Sequence, residues 1–153
     1  MSIFVTGAAG YIGGTFTYEA LKKGYRVVGC DNFINSEPKT IKKIKKLFPD
    51  NFIFYEIDLK NIDDLDAVVA KENISQVVHF AALKSVPESE KFPEKYWKNN
   101  VDSTANLLNV MKKNKIKELI FSSSASVYGQ TEKQPITEQS KLQPLSMYAK
   151  TKA

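Results

Sequence analysis

Tyr148 and Lys152 stand four residues apart near the end of the sequence. In a helix that spacing puts both side chains on one face. A phenol titrates near about pH 10 and is a poor base at neutrality. A nearby ammonium stabilises the phenolate and lowers that value, giving the kind of base that proton abstraction requires. Upstream lies a run of hydroxyls, Ser122-Ser123-Ser124-Ala125-Ser126, from which a serine can hold or relay the proton of a substrate alcohol. At the other end of the chain Gly7, Gly10 and Gly13 form a G-x-x-G-x-x-G loop. Glycine lets backbone turn tightly and approach a pyrophosphate, and the start of a following helix presents free amides to it. Asp31 closes the next apolar run. A carboxylate there accepts hydrogen bonds from ribose hydroxyls and repels a 2′-phosphate, so NAD is favoured over NADP. Beside a nicotinamide, a Tyr-Lys-Ser set suits oxidation of a secondary alcohol. A lone Tyr-x-x-x-Lys pair is commonly just an exposed helix pair; its order after the glycine loop, Asp31 and the serine run favours chemistry.

These groups need elements to position them. Ser2–Thr6 is a short apolar run ending at glycine, and residues 11–23 follow with Ile12, Phe16 and Ala20 at helical spacing. Arg26–Asp31 and residues 51–57, 75–80 and 117–122 read as four further strands. Asn61 is placed to cap a helix carrying Ile62, Leu65 and Val69 inward. Residues 101–115 carry Val101, Ala105, Leu108 and Met111 at helical spacing. Apolar strands alternating with helices predict an α/β fold, a doubly wound parallel sheet in the order 3-2-1-4-5. Asp58, after the third strand, suits either an adenine amino group or a turn and helix cap. His79, inside the fourth strand, reads as a satisfied core histidine. Residues 129–144 form a polar, irregular stretch where such a sheet places ligand loops. Residues 146–153 look like the opening of a helix, which predicts a fragment.

With 153 residues, 42% hydrophobic and 25% charged, the chain fits one globular domain rather than a disordered or fibrous one. One cysteine, Cys30, excludes an internal disulfide, and with the single histidine it cannot furnish a zinc quartet, so no metal is expected. No apolar stretch approaches the about 18 residues of a membrane span, and Met1 leads directly into a strand-like run. A cytoplasmic protein without a membrane partner is expected. The net charge of +5 is modest. In residues 39–48 Ile41, Ile44, Leu47 and Phe48 mark one apolar face and Lys42, Lys43, Lys45 and Lys46 the other, a solvated helix face rather than a nucleic-acid surface.

The motifs TGAAGYIG (6–13), DNFINS (31–36), HFAALKSVPES (79–89), NNV (99–101), SSSASVYG (122–129) and YAKTK (148–152) together resemble the extended short-chain dehydrogenase/reductases, and within them the UDP-glucose 4-epimerases. The resemblance covers essentially the whole chain. It implies an N-terminal NAD-binding Rossmann domain over residues 1–153, cut before a sixth strand, with a nucleotide-sugar domain missing. It places Gly7, Gly10, Tyr11, Ile12, Gly13, Asp58, Leu59 and Asn99 on NAD, with residues 31–36, including Asn32, Phe33, Asn35 and Ser36, and residues 80–84, including Phe80, Ala81, Ala82 and Lys84. It makes Ser124, Tyr148 and Lys152 catalytic. The implied reaction oxidises C4 of a UDP-hexose on tightly held NAD, turns the 4-keto sugar and returns the hydride to the other face. Ala125 and Ser126 stand where related dehydratases carry an acidic pair, so elimination of water lacks its acid and base. Departures from the family pattern are Pro87 in place of glycine and alanine for a glycine within Ala81-Ala82. Other nucleotide-sugar epimerases, acting on UDP-N-acetylglucosamine or UDP-glucuronate, and a non-catalytic NAD-binding module remain alternatives. The 153 residues alone are expected to be inactive, and the full-length protein is expected to be a homodimer.

Overall fold

The computed structural model describes residues 2–131 and 134–153. Five parallel strands form one sheet in the order β3-β2-β1-β4-β5, as the alternating pattern predicts. They are β1 (Ser2–Thr6), β2 (Arg26–Asp31), β3 (Phe52–Glu56), β4 (Ile74–His79) and β5 (Glu118–Phe121). β1 is central and buried along its length. It aligns Thr6 with Cys30 of β2 and with His79 of β4, so the three strands end side by side.

The faces are covered by α1 (Tyr11–Lys22), α2 (Pro38–Leu47), α3 (Ile62–Lys71), α4 (Val86–Lys91), α5 (Pro93–Tyr96) and α6 (Ser103–Lys113). Side chains alternate across each strand. Phe4, Val28 and Val77 meet Leu65, Val69, Leu107, Val110 and Met111 of α3 and α6 on one face. Ile3, Val5, Val27 and Val78 meet Ala20, Leu21, Ile41 and Ile44 of α1 and α2 on the other. Two-sided burial explains why the strands read as apolar runs rather than alternating ones. Asn61 does cap α3, accepting from the Asp64 amide at 3.4 Å.

Four helix faces differ from expectation. In α1 the buried stripe is Gly13, Gly14, Thr17, Ala20 and Leu21, whose small first members bring the helix close to the sheet; Ile12 lies 59% exposed in the first turn. In α3 Val68 is buried with Leu65 and Val69, whereas Ile62 is exposed. The segment 101–115 is not one regular helix. A π-helical turn, Trp97–Asp102, precedes α6, and the buried face is Asn100, Ser103, Leu107, Val110 and Met111, with Leu108 exposed. Asn100 takes an inward position because Leu83 and Thr151 supply its hydrogen bonds, and Ser103 because its hydroxyl donates to the Asn99 carbonyl one turn back. Leu47 of α2 is also exposed, while its lysines Lys42, Lys43, Lys45 and Lys46 face solvent. Among the described residues no helix is long and apolar enough to cross a membrane, and no group of three or more His, Cys, Asp or Glu is placed to hold a metal ion.

Candidate active site

β1 delivers the chain into the glycine loop at the carboxyl edge of the sheet, where open α/β folds bind ligands. Gly7 has φ +70°, and a Cβ there would stand 2.7 Å from the Ala81 amide nitrogen. Only glycine combines that backbone with so close an approach. The loop closes with the Gly10 amide on the Gly7 carbonyl at 3.1 Å. Gly10 begins α1 with no capping side chain among the described residues, which suits a helix start meant for an anion.

Asp31 anchors the neighbouring loop. It accepts from the Ala9 amide at 3.0 Å, the Phe33 amide at 2.9 Å and the Ser36 hydroxyl at 2.8 Å. A carboxylate offers about four acceptor sites, so one direction remains for a ligand hydroxyl. Asn32 donates to Asp58 at 3.1 Å, and the Lys60 amide donates to Asp58 at 2.9 Å. Burial pushes the Asp58 carboxyl up, but the Lys60 amide, Asn32 and the Lys60 ammonium outweigh it and hold it below the usual range. Asp58 thus serves as a turn acceptor while also lining the cleft.

The opposite wall follows β4. Asn100 grips it: its Oδ1 accepts from the Leu83 amide at 2.8 Å and its Nδ2 donates to the Leu83 carbonyl at 3.0 Å. Below it His79 is buried, as a core histidine should be, and its tautomer follows from its partners. Thr104 spends its hydroxyl proton on the Asn100 carbonyl at 2.5 Å, so at 2.9 Å it accepts from His79 Nε2–H. Nδ1 is then the acceptor of the Thr6 hydroxyl at 2.6 Å, and Thr6 Oγ1 accepts from the Ala81 amide at 3.2 Å. This chain ties the end of β1 to the π-turn. Burial, helped by the Lys152 charge, pushes His79 down from 6.5 to about 4. Folding favours the neutral ring, so stability falls as pH drops from about 6.5 through about 4, where the full loss of about 3 kcal/mol is reached. The His79 ring signal in NMR is expected to titrate near pH 4; a midpoint near 6.5 would contradict the buried, fully bonded ring.

The serine run leaves β5 into a 3₁₀ turn, Ala125–Tyr128, which Ser124 caps by accepting from the Ser126 amide at 3.2 Å. The last helix, α7 (Met147–Lys150), carries Tyr148, which is half-buried. Lys152 follows in a turn, 5% exposed. Its Nζ donates to the Ser122 carbonyl at 3.0 Å and lies 4.9 Å from the centre of the Phe121 ring. Burial lowers Lys152 to about 8. Ser123 donates to the Lys152 carbonyl at 2.8 Å, tying α7 to the end of β5.

One cleft gathers nearly all the residues that the sequence assigns to a dinucleotide. Gly7, Gly10, Tyr11, Ile12 and Gly13 line it, as do Asp31, Asn32, Ile34, Asn35, Ser36, Asp58 and Leu59, and on the far wall Phe80, Ala81, Ala82, Leu83, Lys84 and Asn99. Phe33 does not: its backbone turns to φ 55° and its ring packs 5.5 Å from that of Phe54. Ser124, Tyr148 and Lys152 stand outside the cleft lining, with Lys152 joined to it through Ser122. Cys30, Ile57, Ser103 and Ser122 also line the cleft. Cys30, Ile57 and Ser122 lie at the ends of β2, β3 and β5, where the fold itself predicts contact, and Ser103 is one helical turn after Asn99. Burial, then the Asp31 charge, pushes the Cys30 thiol up, which leaves it an inert wall.

Comparison with known proteins agrees with this geometry. Residues 3–153 match the NAD dependent epimerase/dehydratase family. The UDP-glucose 4-epimerase of Dictyostelium discoideum is 43% identical over 150 residues, which is 98% of this chain and 44% of that protein. The crystal structure of UDP-glucose 4-epimerase from Bifidobacterium longum in complex with NAD+ and UDP superposes with a TM-score of 0.95 at 39% identity, over 99% of this chain and 46% of that one. The UDP-Glc/GlcNAc 4-epimerase of Campylobacter jejuni superposes at 0.94 with 32% identity, over 99% and 45%. The chain therefore spans a little under half the length of these relatives. With its sheet order, its glycine loop and its cleft all in place, the chain belongs to the NAD dependent epimerase/dehydratase family.

Proposed function

We propose that the complete protein interconverts C4 epimers of a UDP-hexose, with NAD held in the cleft and Ser124, Tyr148 and Lys152 as the proton-transfer group. The observation that carries this reading is the single cleft, which unites the glycine loop, Asp31, the 80–84 wall and Asn99 beside Ser122, the carbonyl that holds Lys152. The residues fit a dinucleotide. The start of α1 at Gly10 carries no capping side chain and suits a pyrophosphate, and the unused acceptor direction of Asp31 suits a ribose hydroxyl while its charge disfavours a 2′-phosphate.

When bound, NAD supplies reversible hydride transfer at the C4 carbon. Tyr148 takes the proton of the C4 hydroxyl and returns it, and Ser124 holds the alcohol oxygen in line. Lys152, with a value of about 8, is mostly protonated at neutral pH and keeps positive charge near the cleft edge. Ala125 and Ser126 provide no carboxyl for eliminating water, which favours epimerisation over dehydration.

The complete gene product, incubated with UDP-galactose and no added cofactor, is expected to form UDP-glucose and to release a nicotinamide dinucleotide on denaturation. Dinucleotide without conversion of UDP-galactose, UDP-N-acetylglucosamine or UDP-glucuronate would instead make it a non-catalytic binding module. Given the Campylobacter jejuni relative, the same assay with UDP-N-acetylglucosamine decides between hexose and N-acetylhexosamine substrates.

A further inference from the structure

The first amides of a helix have no partner within it and are usually capped by residues just before it. In α7 only one is served that way: Ser146 accepts from the Ala149 amide at 3.0 Å. The other two are served from α4, more than fifty residues upstream. Glu90 Oε1 accepts from the Met147 amide at 2.6 Å, and Ser89 Oγ accepts from the Tyr148 amide at 3.0 Å.

Ser89 is fully buried. Its hydroxyl proton goes to the Val86 carbonyl at 2.7 Å, so a lone pair is left for Tyr148. The helix that presents it is itself held. Ser85 caps α4, and the buried Tyr96 hydroxyl accepts from the Ser85 amide at 2.9 Å while donating to Glu88 at 2.8 Å. α4 also continues directly from residues 80–84, the cleft wall gripped by Asn100. One short rigid segment, residues 80–91, therefore lines the cleft at one end and bonds the backbone of Tyr148 at the other.

We propose that Ser89, supported by Glu90, is a positioning residue that registers Tyr148 against the cofactor wall. This rests on reading Tyr148 as the proton-transfer group. Neither side chain lines the cleft; each acts through the α7 backbone. Misplacing a reacting group by about 1 Å costs on the order of 100-fold in rate, and loss of one seating bond is a smaller disturbance.

The test uses the complete enzyme, with turnover counted per mole of bound dinucleotide so that misfolded protein is excluded. Ser89→Ala is expected to lower kcat for UDP-hexose epimerisation by roughly tenfold, with KM within twofold, because the interaction lost orients the reacting group rather than binding sugar. Glu90→Ala, at an exposed site, is expected to lower kcat severalfold, and Glu90→Gln, which keeps an acceptor oxygen, to recover most of that loss. If Ser89→Ala does not fold, the Glu90 pair decides alone. Wild-type kcat per dinucleotide in both alanine variants overturns the proposal, as does a loss that Glu90→Gln fails to recover. A wild-type enzyme that converts no UDP-sugar defeats the functional reading itself, whereas an active wild type with unaffected variants defeats only the role of Ser89 and Glu90.

Discussion

Tyr148→Phe is expected to lower kcat by about 1,000-fold or more in the complete protein, while the bound dinucleotide is retained. General acid–base catalysis contributes about 100- to 10,000-fold, and in the proposed reaction one hydroxyl carries both proton removal and return. The substitution removes that oxygen and little else. The ring remains half-buried, and the Tyr148 amide still reaches Ser89 at 3.0 Å. Tyr148 is not among the residues that line the cleft, so the cofactor keeps its contacts. Measuring kcat beside dinucleotide content separates the two effects. Near-normal turnover would remove Tyr148 from its role, and loss of the dinucleotide would show that the phenol supports binding instead.

Gly13→Ala is expected to abolish dinucleotide retention and to destabilise the domain by about 3 kcal/mol, the upper end for forced overpacking. An added Cβ would lie 2.1 Å from the Gly7 carbonyl oxygen and 2.8 Å from its carbon. Both are backbone atoms of the loop that must face the pyrophosphate, so relief requires α1 to lift from β1 or the loop to open. Either movement spoils the anion site at the start of α1. Thermal unfolding together with the absorbance of released dinucleotide reads both consequences. A variant that keeps its cofactor and its melting temperature would mean that the loop is not held as tightly as the Gly7–Gly13 approach requires.

The parallel sheet was legible because strands buried on two faces leave uninterrupted apolar runs, and the glycine loop and Asp31 were legible because their chemistry depends on local spacing. His79 reads as a core histidine, and the Thr6 and Thr104 bonds bear that out. Helix faces were less legible. Ile12 looks like a core residue by periodicity, yet it stands at the first turn of α1 where the cleft, not the sheet, is its neighbour. Around the start of α6 buried positions belong to Asn100 and Ser103, polar residues outside the stripe of Val101, Ala105, Leu108 and Met111 that periodicity marks; only the fold reveals that Leu83 and Thr151 await Asn100. Phe33 sits between cleft-lining neighbours but turns back onto Phe54. The expected helical Tyr148–Lys152 pair is interrupted: the α-helix ends at Lys150, and the Lys152 amide bonds Ala149 three residues back. The Ser89–Tyr148 contact joins positions 59 apart, a separation no local pattern reports.

The most direct measurement follows a label through the reaction. The complete gene product, given UDP-galactose deuterated at C4 and no added cofactor, is expected to yield UDP-glucose that retains deuterium at C4, since in the proposed reaction that hydrogen would leave as hydride and return to the same carbon. Product in which that deuterium has exchanged with solvent, or no product at all, would contradict a C4 oxidation and return centred on Tyr148 and the cleft.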